Sequence, residues 1–114
     1  MVETYIEEAL QALHISRRYK GRRQLAEAVR LALEDESRLE KTTKRLFTPV
    51  AERLGCTPGS VIRNICTVAD RTWESFPEEL QQMARLSLDG PPTAPEMVEI
   101  VLTHILRTWP DARR

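Results

Sequence analysis

The sequence predicts an all-α protein, a single compact six-helix domain with a helix-turn-helix inside it, and three observations predict it. Apolar residues recur three and four positions apart in one stretch after another, while alternating β-branched and aromatic runs are absent. Ser/Thr-Pro and S/T-x-x-E patterns stand where helices would begin. Between about Pro49 and Glu74, a small residue, a glycine and an apolar anchor take the spacing of two helices joined by a tight turn. The 114 residues read as one domain, 1–114, long enough to bury a core unaided.

Taken in order, the first helix spans Glu3 to about Leu13, with Ile6, Ala9, Leu10 and Leu13 on one face. The second runs from about Arg22 to Glu34 and buries Leu25, Ala28, Val29, Ala32 and Leu33. A third segment, Leu39 to Phe47, leads into Thr48-Pro49. Proline lacks an N–H and holds φ near the helical value, so it suits a first turn, with Thr48 supplying the capping oxygen. That starts a short helix, Pro49 to Leu54, or else the proline bends a longer one. Thr57-Pro58 repeats the device before a long helix ending near Glu74. Ser75-Phe-Pro-Glu78 and Thr93-Ala-Pro-Glu96 read as capping boxes for helices at about Phe76–Leu88 and Ala94–Thr108, with Asp89-Gly-Pro-Pro92 as a loop. The last helix carries Met97, Val98, Ile100, Val101, Ile105 and Trp109, more apolar surface than one face needs. That excess either completes the domain's own core or meets a second copy.

Composition excludes several classes. Seventeen Lys+Arg balance seventeen Asp+Glu, so the placement of charge matters rather than its sum. No apolar run approaches membrane-spanning length, and acidic residues follow Met1 where an export leader would be basic and then apolar. A cytoplasmic protein without membrane contact is the expectation. Cys56 and Cys66 are too far apart for a zinc or redox pair, and are expected as reduced thiols; His14 and His104 stand alone. Neither a metal nor a cofactor is expected. An enzyme is the least favoured class, because no nucleophile-base pattern, phosphate loop or paired carboxylates stand out. Glu7-Glu8 and Glu78-Glu79 read as solvated helix faces.

Within the motif, Ala51 is the small residue, Gly55 the turn and Val61 the anchor. Helical phase puts Val61, Ile65, Val68 and Thr72 inside, with Ile62, Cys66, Ala69 and Trp73 as a second apolar stripe. Arg63, Asn64, Thr67, Asp70 and Arg71 lie roughly opposite. In the first turns of such a helix, which meet the bases, Arg63 could donate two hydrogen bonds to guanine, worth about 1–3 kcal/mol of discrimination. Asn64 could read adenine, with Thr67 as a helper. Against this stands the plainer alternative of solvated surface side chains on an ordinary helix hairpin.

Cations cluster in two places. The connector Ser16-Arg-Arg-Tyr-Lys-Gly-Arg-Arg23 holds Arg17, Arg18, Lys20, Arg22 and Arg23 and no acid. Arg38, Lys41, Lys44 and Arg45 precede the motif. Phosphate contact needs only positive charge at the right height, so the connector cations, with Thr57 and Ser60 at the helix start, are the candidate phosphate ligands. A basic surface for an acidic protein partner is the alternative.

Three separated stretches carry a family resemblance. "YKGRRQLAEAV", "TKRLFTPVAERLGCTPGSVIRNICTVADRTW" and "PTAPEMVEIV" resemble the C-terminal effector domain of the sporulation initiation response regulator, over roughly Ala12 to Leu106. The resemblance implies a six-helix domain that binds a short box of double-stranded DNA through the major groove, with copies in tandem on adjacent boxes. It implies guanine reading by Arg63 and a phosphate-facing role for Thr57. RNA polymerase or a sigma factor, and a second copy forming a homodimer on tandem sites, are the further partners expected of such a regulator. The chain departs from the family at Ser60, Ile62 and Cys66, where charged residues are usual, and no receiver domain has a counterpart here. Ile62 and Cys66 suit the rival reading, a helix-turn-helix-derived protein-interaction module without specific base readout.

Overall fold

Helix-favouring periodicity and six well-spaced starts wind the chain into six α-helices, described for residues 1–113 in a computed structural model. They are α1 (Val2–Ala12), α2 (Lys20–Glu34), α3 (Thr48–Leu54), α4 (Pro58–Ser75), α5 (Pro77–Ala84) and α6 (Ala94–Thr108). A 3-10 segment (Glu36–Lys41) and a π-helical turn (Thr43–Phe47) join α2 to α3, and a second 3-10 turn (Pro110–Arg113) follows α6. There is no strand among the described residues.

The long helix α2 lies at the centre, packed on α1, α4 and α6, while α4 also touches α3, α5 and α6. Leu10, Leu25, Val29, Leu46, Phe47, Val50, Val61, Ile65, Leu80, Met97 and Ile105 are fully buried between them. Each such side chain contributes about 1.5–3 kcal/mol on leaving water. The apolar excess of α6 is largely used inside the domain. Met97, Val98, Val101, Leu102 and Ile105 are buried, and Trp109 stacks on Tyr5 of α1 with ring centroids 4.7 Å apart. The capping box at Thr93 forms as expected: Glu96 N–H donates to Thr93 Oγ1 at 3.3 Å, and Thr93 N–H to Glu96 Oε1 at 2.8 Å.

Three expectations are corrected. The second helix starts at Lys20, two residues before Arg22, so Gly21, Arg22 and Arg23 belong to its first turn. Thr48 does not cap α3. The chain is already wound from Thr43, Thr48 itself is helical (φ −64°, ψ −47°), and its hydroxyl donates back to the Thr43 carbonyl at 2.8 Å. Pro49 thus sits inside one continuous winding, and the amide that would serve the Arg45 carbonyl four residues back is missing. Arg38 supplies the donor instead, its Nη1 lying 2.7 Å from that oxygen. Lastly, Ser75 is the end of α4 and forms no capping box. Phe76 caps α5 without a side-chain bond, and α5 stops at Ala84 rather than Leu88 because Arg85 turns left-handed (φ 60°).

Candidate nucleic-acid interface

The elbow of the motif follows from Gly55, whose left-handed backbone (φ 69°, ψ 39°) ends α3. The next amide, Cys56 N–H, returns to the Ala51 carbonyl at 2.9 Å, so the carbonyl is satisfied and the chain reverses. Ala51 and Val61 are both buried where the two helices meet. Thr57, in extended backbone, caps α4 by accepting Ser60 N–H at 3.1 Å, and Pro58 opens the first turn. The Thr57 hydroxyl proton is not used by that bond, so the same group can cap the helix and donate outward.

In α4 the expected inner stripe is buried, with Val61, Ile65, Val68 and Thr72 joined by Ala69. Arg63, Thr67, Asp70 and Arg71 are exposed. The Arg63 guanidinium makes no hydrogen bond or ion pair among the described residues. Thr67 donates its hydroxyl to the Arg63 carbonyl at 3.1 Å, leaving only its lone pairs for an outside donor. Asn64 is half-buried, and its Nδ2 donates to Ser60 Oγ at 3.5 Å, a bond that leaves the Ser60 hydroxyl proton unused. Ile62, Cys66 and Trp73 are half-buried against the core, so the second apolar stripe is largely covered by the domain itself.

Gly21 brings the connector to this helix. A Cβ at position 21 would stand 2.2 Å from the Asn64 carbonyl oxygen and 2.7 Å from Val68 Cγ2. Only glycine lets the first turn of α2 lie directly on the middle of α4. Arg18 and Lys20 are exposed and make no ion pair among the described residues. Arg17 is exposed but donates to Glu7 of α1 at 3.1 Å.

Arg22 is not a surface cation. It is 7% exposed, its Nη1 donates to both Glu7 oxygens at 3.0 Å, and its Nε donates to the Ile15 carbonyl at 3.0 Å. A guanidinium withdrawn into the fold cannot hold a phosphate, so this assignment is corrected. Arg23 is exposed, but it lines a recess of about 150 Å³ between α1 and α2, with Glu3, Ile6, Glu7 and Ala26, on the side turned from Gly21.

Sequence reasoning left Arg71 without a role. The structure sets it beside Ser16 and Tyr19 of the connector and His14, Ser75 and Phe76, around a recess of about 120 Å³. The one available signal was its spacing of seven from Asn64, two turns along the same face. Of the second cationic cluster, Arg38 serves the Arg45 carbonyl and Arg45 pairs with Asp35 at 3.5 Å. Lys41 and Lys44 are exposed without an ion pair among the described residues.

The family model described as "Sporulation initiation factor Spo0A C terminal" matches residues 6–105 of the chain. The chain belongs to this family. The match covers every element from most of α1 to nearly the end of α6, including the whole helix-turn-helix. No curated protein matches the chain. The Spo0A C-terminal family is one of DNA-binding effector domains in transcription regulation and sporulation rather than of enzymes. No helix among the described residues is long and apolar enough to cross a membrane.

Proposed function

We propose that this Spo0A-type effector domain is a sequence-specific transcription regulator whose helix α4 enters the major groove of double-stranded DNA. The observation that carries the reading is Arg63, an outward guanidinium without an internal partner in the second turn of α4. There it contacts guanine O6 and N7, with Asn64 and Thr67 at the edges of the reading surface. Thr57 donates its free hydroxyl to phosphate at the helix start, with Ser60 beside it. Arg18, Lys20 and the exchangeable Arg17 hold a neighbouring stretch of backbone, because Gly21 docks their segment on α4.

A second copy on an adjacent box, and RNA polymerase or a sigma factor, complete the set of partners. The rival reading, a protein-interaction module, draws on Ile62 and Cys66. Both are partly buried against the core, which leaves less of them to form an apolar docking strip.

Selection of bound sequences from a random duplex pool tests the reading. Enrichment of a short guanine-containing box, with weaker binding of random duplex at higher salt, is the expected result. Absence of binding even at low salt overturns it.

A further inference from the structure

Among the described residues, Glu7 is the only carboxylate paired with a connector cation, and it holds two of them. The two pairs differ in kind. Arg22 is buried and gives Glu7 two hydrogen bonds while its Nε holds the Ile15 carbonyl. One guanidinium thereby ties α1, the start of the connector and α2 together. Arg17 meets the same carboxylate with its side chain 78% exposed. Such a pair in water is weak and can exchange for another anion.

The start of the connector between α1 and α2 is also held from other sides, by the buried Ile15 side chain and by His14 stacked on Phe76 with ring centroids 4.3 Å apart, but the connector beyond has few bonds of its own. His14 leaves α1 in left-handed backbone (φ 59°), Arg18 N–H reaches Ser16 Oγ at 3.1 Å, and Tyr19 N–H reaches the Ser16 carbonyl at 3.3 Å. At its far end Gly21 is seated on α4. What fixes the near end to α2 is the Glu7–Arg22–Ile15 set.

We propose that Glu7 is a positioning residue for DNA binding, an acid on α1 that holds the basic connector in the shape in which Arg18 and Lys20 meet phosphate. The inference rests on the DNA-binding reading and adds to it a residue of the opposite sign. On charge alone, removing Glu7 tightens binding to a polyanion. Positioning demands the reverse.

The test uses the full chain and a random-sequence duplex titrated across salt, since phosphate contacts do not depend on sequence. E7Q is expected to weaken binding although it removes a negative charge. Because E7Q strands a buried cation, the charge-balanced double variant E7Q/R22M is made alongside, leaving net charge unchanged and filling the volume. It is expected to melt near the wild-type temperature and bind about tenfold more weakly. Its slope of log K against log salt falls by about 2, as for two lost contacts at roughly 0.9 each. R18A/K20A should give the same slope and add nothing further to E7Q/R22M, because both remove one set of contacts.

Wild-type affinity and slope in E7Q/R22M, or fully additive losses, overturn the proposal. An unchanged slope in R18A/K20A also overturns it, by taking the connector off the duplex, while Arg63-dependent recognition stands. Failure of the unaltered chain to bind any duplex sinks both.

Discussion

Gly21 rests on the carbonyl of Asn64, so closely that a Cβ at position 21 would stand 2.2 Å from the oxygen and 2.7 Å from the carbonyl carbon. The neighbour is helix backbone, which cannot rotate away as a side-chain tip would. Gly21→Ala must push α2 off α4. The expected cost is about 1–3 kcal/mol in urea unfolding, with affinity for random duplex falling as well because the connector moves with α2. Wild-type stability in G21A would remove the close approach.

Arg63→Ala tests the reading of bases separately from the grip on phosphate. Affinity for the selected box should drop by about 1–3 kcal/mol, while binding to random duplex changes little. Equal losses on both duplexes would make Arg63 a phosphate ligand.

How much of this was legible depended on how local the determinants were. The box at Thr93 lies within four residues, and α6 runs over the expected range. The elbow at Gly55 and the buried stripe of α4 were likewise readable, since sterics and period are written in adjacent residues. Thr48 misled because a Thr-Pro pair carries the same signal at a helix start as inside a winding that a π turn has widened. Arg22 misled because its partner lies fifteen residues upstream on another helix, where no spacing rule reaches. Arg23 stays exposed in the first turn of α2, beside Glu3 and Glu7 of α1, a neighbourhood that no local spacing announces.

Gly55 offers a cleaner strain measurement than Gly21. Nothing lies within 4 Å of a Cβ built there, so any cost is that of the left-handed backbone alone. Gly55→Ala should destabilise by about 1–2 kcal/mol, and Gly55→Asn by less, because asparagine tolerates this region. Equal stability of the two variants in thermal unfolding would contradict the assignment.

Glu27 links α2 to the first motif helix and gives the domain an acid-sensitive joint. It accepts from Arg30 of α2 and pairs with Arg53 of α3, each at 2.6 Å. Hydrogen bonding from Arg30 holds its carboxyl below the ordinary 4.5, against the opposing effect of burial and with help from the charges of Arg30 and Arg53. The unfolded chain therefore takes up this proton at higher pH than the folded one. Its stabilisation is complete above about pH 4.5 and disappears as pH falls through the depressed folded value. Glu27→Gln should cost about 1.5–3 kcal/mol at neutral pH and flatten that part of the acid limb. A variant that keeps the wild-type acid limb would place the titration elsewhere.

The stack of Trp109 on Tyr5 makes the tail of the chain a clasp for its first helix. Tyr5 stands two residues before Glu7, so the clasp bears on the same helix that carries the anchor of the connector. Whatever engages or trims the segment after Thr108 would then slacken a nucleic-acid grip that it never touches.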